Sequence, residues 1–278
     1  MNILRLAAFS QNGQGGNPAG VAFYEEMPSP EEMMKIAAEV GYSETAFLVK
    51  QEDGWRVRYF APEMEVQFCG HATIALGAAL GERFGEGTYK LQLNQSEIKV
   101  RAEKTSSGTF GATLQSPETW SEDAPKGYVD KVLSAFNLTR EQLDPNFPIH
   151  FAFAGVKHLI LTVKDRKTLA NMNYEFETGK ALMAEKELTT VSLLWRESDD
   201  LFHSRNAFAS GGVYEDPATG AAAAALAGYL RDIGWKGPKS FIMLQGEDMG
   251  APSRLSVKYT PKIGESIAVS GEVRHIEE

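Results

Sequence analysis

The chain has 278 residues, 43% hydrophobic and 23% charged. That is too apolar for a disordered chain and enough for two compact domains of ordinary size or one large one. A net charge of −9 repels a phosphate backbone, which sets nucleic acid aside as a partner. No run approaches the roughly 20 apolar residues of a membrane span.

In chain order, Leu4-Arg5-Leu6-Ala7-Ala8-Phe9 reads as a strand. A glycine-rich loop from Gln11 to Gly20 follows, then a second strand at Val21-Ala22-Phe23-Tyr24. The loop fits neither the dinucleotide fingerprint nor a phosphate loop. Ser29-Pro30-Glu31-Glu32 opens a helix with a capping serine, proline at its first position and Glu32 set for a capping box; Gly41 ends it. Ser43 to Val49 reads as a strand on which Glu44, Ala46 and Leu48 share one face, a carboxylate heading an apolar row. Further strands are predicted at Trp55–Phe60, Tyr89–Leu93 and Ile98–Ala102.

The stretch from Gln115 to Pro125 carries two prolines and loses the apolar pattern, so it marks a domain boundary. The predicted halves are residues 1–118, with 266–278 as a candidate to rejoin them, and residues 119–265. In the second half, helices are predicted near Val129–Phe136 and Phe176–Glu187, and Thr139 to Gln142 is a capping-box candidate. Strands are predicted at His158–Val163, Thr190–Trp195, Phe241–Leu244, Arg254–Tyr259 and Ser266–Val269.

Two stretches 146 positions apart, from Cys69 and from Glu215, read as variants of one another: an Ala-Thr pair, three alanines and a closing leucine coincide. Each places turn-forming polar residues ahead of a small-residue apolar run, predicting one enclosed helix per half. A helix leaves its first N–H groups unpaired and carries partial positive charge there. Two such starts, at Gly70 and around Asp216 to Gly220, suit a small carboxylate. His71 and Asp216 add a titratable group to each. The five histidines include no pair at helical spacing, so a metal is not expected. No G-x-S-x-G elbow is present, and Cys69 beside His71 is too close in sequence to be read as a catalytic pair. The single cysteine forms no internal disulfide, and Met1 to Leu6 lacks a basic patch followed by a long apolar core. The expected compartment is the cytoplasm.

Gly16-Asn17-Pro18-Ala19-Gly20-Val21, Ser43-Glu44-Thr45-Ala46-Phe47, Phe68-Cys69-Gly70-His71-Ala72-Thr73, Glu215-Asp216-Pro217-Ala218-Thr219-Gly220 and Gln245-Gly246-Glu247-Asp248-Met249-Gly250 occur in this order across nearly the whole chain. Together they resemble the PhzF-like (phenazine biosynthesis) family of the diaminopimelate epimerase fold. The resemblance implies an α+β chain of two pseudo-symmetric domains, each a curled, mostly antiparallel sheet around a central apolar helix. It also implies a cofactor-independent isomerase acting on a small carboxylic acid in an interdomain cleft, and a homodimer. Glu44 matches the family's general base, and His71 and Asp216 its assisting polar groups. Asn17, Gly70, Ala72, Thr219, Gly220 and Ala221 match its substrate-binding positions. Ala221 stands where many members carry serine. A second thiol is missing, which excludes the two-cysteine racemase chemistry of the same fold. A non-catalytic metabolite-binding protein, and a lyase or hydrolase using the same acid–base set, stay open.

Overall fold

The computed structural model describes residues 3–277. It is a mixed α+β structure in two units: one runs to Gln115 and takes up the chain again from Ser270, and the other is Ser116–Val269.

In the first unit, strands β1 (Leu4–Ser10) and β2 (Asn17–Tyr24) form an antiparallel pair. Helix α1 (Pro30–Val40) begins where the Ser29 hydroxyl accepts the Glu32 N–H and ends on Gly41 in the left-handed conformation. It delivers the chain to β3 (Thr45–Gln51), parallel to β2, and β3 turns back into β4 (Gly54–Phe60). A two-residue strand β5 (Glu65–Val66) crosses the end of β4 and leads into helix α2 (Gly70–Phe84). Strands β6 (Gly87–Gln92), β7 (Glu97–Lys104) and β8 (Phe110–Gln115) complete the unit, β6 lying parallel to β4.

The second unit repeats this plan. Strand β9 (Trp120–Asp123) and helix α3 (Lys126–Ala135) precede β10 (His150–Phe153) and β11 (Lys157–Val163), an antiparallel pair. Helices α4 (Arg166–Ala170) and α5 (Phe176–Glu185) lead to β12 (Thr190–Ser198), parallel to β11, which turns back into β13 (Leu201–Ala207). A two-residue strand β14 (Glu215–Asp216) crosses the end of β13 and leads into α6 (Gly220–Asp232). Strand β15 (Ser240–Gln245) runs parallel to β13, and β16 (Ser253–Lys258) pairs with it. The last strand, β17 (Ala268–His275), returns to pair with β1.

Most of these pairings are antiparallel, and each unit wraps its sheet on one helix. Ala72 through Gly81 of α2 and Ala222 through Arg231 of α6 are buried without a break. A helix apolar on every side has no face to give to water, so the sheet must curl around it. Its small residues set how close the sheet comes. A Cβ added at Gly77 would lie 2.6 Å from Val100 Cγ2 and 2.8 Å from Ala112 Cβ, and one at Gly81 only 2.8 Å from Ala102 Cβ.

The expected elements differ from the observed ones beyond small shifts of their ends, and β5, β8, β10, α4 and β14 have no expected counterpart. The loop after β1 ends at Asn17 rather than Gly20, because Pro18 and Ala19 pair with β1. Asn17 to Gly20 therefore belong to a strand. The last strand begins at Ala268, later than Ser266. β9 lies inside the stretch read as a loosened boundary, and its mostly exposed residues give no apolar alternation to betray it. β13 was not foreseen, since His203, Ser204, Arg205 and Asn206 are polar yet all buried.

Gly77→Ala tests the packing of the central helix. Helix propensity alone favours alanine by about 1 kcal/mol. Overpacking against Val100 and Ala112 costs about 1–3 kcal/mol and is expected to win. Denaturant unfolding should show a lower midpoint with an unchanged slope; a raised midpoint would show that the seam is looser than described.

Candidate active site

The two central helices begin alike. Each follows a two-residue strand by three residues, and neither start is capped by a side chain: Cys69 precedes α2 and Thr219 precedes α6. By contrast, α1, α4 and α5 have side-chain caps from Ser29, Asp165 and Glu175. The unpaired N–H groups at the starts of α2 and α6 are thus left for another acceptor.

The same frame fixes how the two units correspond. β5 pairs Phe60 with Glu65, and β14 pairs Ala207 with Glu215. Arg58 reaches Glu65 through a two-point fork, Nε to Oε1 at 2.8 Å and Nη2 to Oε2 at 2.6 Å. Arg205 reaches Glu215 in the same way, at 3.0 Å and 2.5 Å. Gly70 therefore matches Gly220, an offset of 150 rather than 146. Cys69 falls opposite Thr219, His71 opposite Ala221 and Asp216 opposite Val66. The expectation that His71 and Asp216 occupy equivalent points of the repeat is corrected by this register, as is the pairing of Cys69 with Glu215. The alanine-rich interiors align equally well four residues out of step because they carry little identity. A Glu-x-x-x-x-Gly spacing, Glu65 to Gly70 and Glu215 to Gly220, was the signal that would have set it right.

In the first unit, Glu44 sits immediately before β3, its carbonyl accepting the Gly20 N–H at 3.1 Å. Its side chain meets the start of α2: Oε2 lies 3.4 Å from His71 Nε2. That oxygen is buried and accepts no hydrogen bond from the described residues. The other neighbours of the imidazole are Ser43 Oγ, 3.4 Å from Nε2, and Cys69 Sγ, 3.3 Å from Nδ1. Cys69, too close to His71 in sequence to be read as its catalytic partner, is buried and touches the imidazole directly. Its backbone is held from behind: Tyr59 donates to the Thr73 hydroxyl at 2.6 Å, and Thr73 donates to the Cys69 carbonyl at 2.6 Å. Burial pushes the Tyr59 phenol far up and keeps it a donor. Asn17 opens β2, the strand whose Gly20 contacts Glu44, and is buried. Gly70 is the first residue of α2, with nothing within 4 Å of where its Cβ would stand, whereas Ala72 is fully buried in the helix.

In the second unit, Asp216 lies on β14, one turn ahead of α6, and its Oδ2 accepts the Thr219 hydroxyl at 2.5 Å. Gln245, completely buried at the end of β15, ties this lead-in together. Its Nε2 donates to the Asp216 carbonyl at 2.7 Å and to Thr219 Oγ1 at 3.1 Å, and its Oε1 accepts the Thr219 N–H at 3.1 Å. Gly246 follows in the left-handed region, where a Cβ would strike the carbonyls of Ala251 and Pro217. The next residue, Glu247, accepts from His203 at 2.7 Å. Thr219, Gly220 and Ala221 are half-buried at the helix start. Gln245, Arg58, Glu65 and Arg205 were not singled out from sequence as site-forming residues. Gln245 stood in a quoted motif without a role, and the three charged residues carry no local spacing that sets them apart as site-forming.

The Arg58 guanidinium holds the Glu65 carboxyl below the usual carboxylate range, with Asn94 adding a hydrogen bond and burial opposing both. The arginines gain in turn. For Arg58 the hydrogen bond to Glu65 leads; for Arg205 burial opposes the charged form but is outweighed by the hydrogen bonds and charge of Glu215.

The family model described as "Phenazine biosynthesis-like protein" (PhzC-PhzF) matches residues 6–277. The uncharacterized isomerase YfhB of Bacillus subtilis is 29% identical over 265 residues, 92% of this chain and 89% of its own. The trans-2,3-dihydro-3-hydroxyanthranilate isomerase of Pseudomonas fluorescens is 27% identical over 263 residues, 92% of this chain and 90% of its own. The crystal structure of a PhzF-family phenazine biosynthesis protein of Bacillus anthracis superposes with a TM-score of 0.88 at 23% identity, covering 99% of this chain and 96% of its own, and so shows the same fold. Among the described residues no helix is long and apolar enough to cross a membrane.

The two arginine forks differ in depth, which gives a graded expectation. Arg205 and Glu215 are 10% and 4% exposed, against 17% and 25% for Arg58 and Glu65. Arg205→Ala strands a buried carboxylate and should cost about 3–5 kcal/mol, while Arg58→Ala should cost less. Because Glu65 is shifted down, its contribution is present above the unfolded carboxylate range and disappears as pH falls through its lower folded value. Unfolding curves of wild type and Arg58→Ala should therefore converge on acidification. A gap that stayed constant with pH would assign the Arg58 effect to packing instead.

Proposed function

The chain belongs to the phenazine biosynthesis-like family and is an isomerase of that family, and on this premise we propose that it moves a proton on a small carboxylic acid, without a cofactor, using Glu44 as general base. The observation that carries the assignment is the buried Glu44 Oε2, which accepts no hydrogen bond from the described residues beside an imidazole 3.4 Å away. A carboxylate oxygen left without a donor keeps its lone pairs free for a C–H proton of a substrate placed against it. The name of the Pseudomonas fluorescens relative is that of an enzyme acting on a ring carboxylic acid, which supports a carboxylate substrate here.

In this reading the substrate carboxylate is held by backbone N–H groups at an uncapped helix start: Gly70 and His71 match the family's cradle in the first unit, and Gly220 and Ala221 match it in the second. Asn17, Ala72 and Thr219 complete the binding positions. Charge that builds on the carboxylate as the proton leaves is met by those N–H groups and by the helix dipoles. Glu44 removes the proton and returns it at another carbon. His71, next to Glu44, receives or relays a proton during the transfer, and Asp216 is the assisting polar group of the second unit. Positioned acid–base catalysis supplies on the order of 10²–10⁴ in rate, and fixed orientation must supply much of the rest.

The test is proton exchange. Small carboxylic acids, ring acids and amino acids among them, are incubated with the protein in D2O, and isomer formation is followed alongside deuterium uptake in case a sheltered proton returns without exchanging. Wild type should yield an isomer of unchanged mass in H2O, and Glu44→Gln should lower turnover at least about 10³-fold with an unchanged circular dichroism spectrum. Full turnover by Glu44→Gln would remove Glu44 from the role of base, and a product of altered mass would point to lyase or hydrolase chemistry.

A further inference from the structure

We propose that Glu44, Cys69 and His71 form a binding site for one soft divalent cation of the zinc class, and that occupancy of this site switches the isomerase off. The second half rests on Glu44 acting as base; the first does not.

The donor set and its spacing carry the inference. A thiol, an imidazole and a carboxylate offer one ligand atom each, all within 4.8 Å of one another. His71 Nε2 lies 3.4 Å from Glu44 Oε2 and 3.9 Å from Cys69 Sγ. Zinc–ligand bonds of about 2.0–2.3 Å at near-tetrahedral angles place neighbouring donors about 3.3–3.6 Å apart. The nitrogen–oxygen separation already has this value, and the remaining pairs need about an ångström or less of adjustment. Sulfur and imidazole donors select zinc-class ions over magnesium or calcium, which prefer oxygen.

The backbones that carry Cys69 and Glu44 are tied in place. Thr73 and Tyr59 hold the Cys69 carbonyl, and Gly20 holds that of Glu44. Glu44 Oε2 has no competing hydrogen bond from the described residues to give up. The second unit provides an internal control. Its matching positions are Thr219 for Cys69, Ala221 for His71 and, by the strand register that sets Thr45 against Phe60 and Val191 against Ala207, Thr190 for Glu44. None of these replaces a donor of the first unit with an equivalent one, so the cluster is particular to one half rather than a by-product of the fold.

Binding is a substitution at the thiol: the S–H proton leaves to solvent as the sulfur–metal bond forms, while Glu44 Oε2 and His71 Nε2 donate lone pairs. Three protein donors leave a fourth position for water. The ion then neutralises the carboxylate that would remove the substrate proton.

The experiment titrates the full-length protein, stripped with chelator, first with Co2+ as a spectroscopic probe and then with Zn2+. A sulfur-to-cobalt charge-transfer band should saturate at one equivalent and bleach on addition of Zn2+, with Mg2+ failing to compete. Cys69→Ser should lose the band. His71→Asn and Glu44→Gln should keep it but weaken the titration at least about tenfold, each variant first shown to be folded by circular dichroism. No band in wild type, or the same band in Cys69→Ser, would overturn the site. Zn2+ should also suppress Glu44-dependent exchange, and chelator should restore it. Exchange untouched by Zn2+ in protein that shows the band would overturn the switch and leave the site standing. Neither isomer formation nor exchange with any of the acids would remove the Glu44 base assignment and the switch together, while the band would still decide the site.

Discussion

Each unit depends on one ionic fork. An arginine two residues short of the end of a strand grips a glutamate on the two-residue strand that crosses it, Arg58 with Glu65 and Arg205 with Glu215. The grip fixes where the chain turns into the central helix, and so where that helix's unpaired N–H groups lie. A bidentate guanidinium–carboxylate pair is directional in a way that an apolar contact is not. The apolar helix behind it is seated by close packing at glycines such as Gly77 and Gly81; the fork adds a directional tie at its entry. Anything the helix starts do chemically inherits its precision from these two pairs.

Much of the architecture was legible because local chemistry and tertiary structure agreed. The Ser29 cap and the Gly41 stop bracket α1 as read, and the Thr139–Gln142 capping box forms both of its hydrogen bonds, although it heads only a short 3₁₀ turn. The two small-residue runs became the two buried helices. What stayed hidden was structure made of polar residues: β13 buries a histidine, a serine, an arginine and an asparagine in succession, satisfied by partners that no local pattern announces. The repeat register went astray for a related reason. Alanines carry no positional information, whereas the glutamates that do carry it lie outside the apolar run. At the candidate site, Glu44 was visible as a carboxylate out of place at the head of an apolar row, and its approach to His71 spans 27 positions that no spacing rule connects. The contact of Cys69 with that imidazole was set aside on sequence proximity and emerged only when the helix start was built.

The two helix starts are matched in backbone and mismatched in side chains. One carries His71 just after its opening glycine, where the other has only the methyl group of Ala221; one carries Asp216 on its lead-in strand, where the other has Val66. Duplication accounts for the shared scaffold, and the divergence has left each start with a different titratable group. Symmetry in the frame and asymmetry in the functional groups are therefore compatible demands on the same fold.

The knot of contacts around Gln245 has a consequence for the order in which the molecule can be made. The entry to α6 is held by a residue that leaves the ribosome after the whole helix has been synthesised, and the backbone crossing at Gly246 reaches back to Pro217. Until that later segment arrives, α6 can coil but its first turn has no fixed aim. The second unit must therefore acquire its finished geometry late, by a long-range closure rather than by local winding, and a nascent chain halted within α6 would carry the helix without its point.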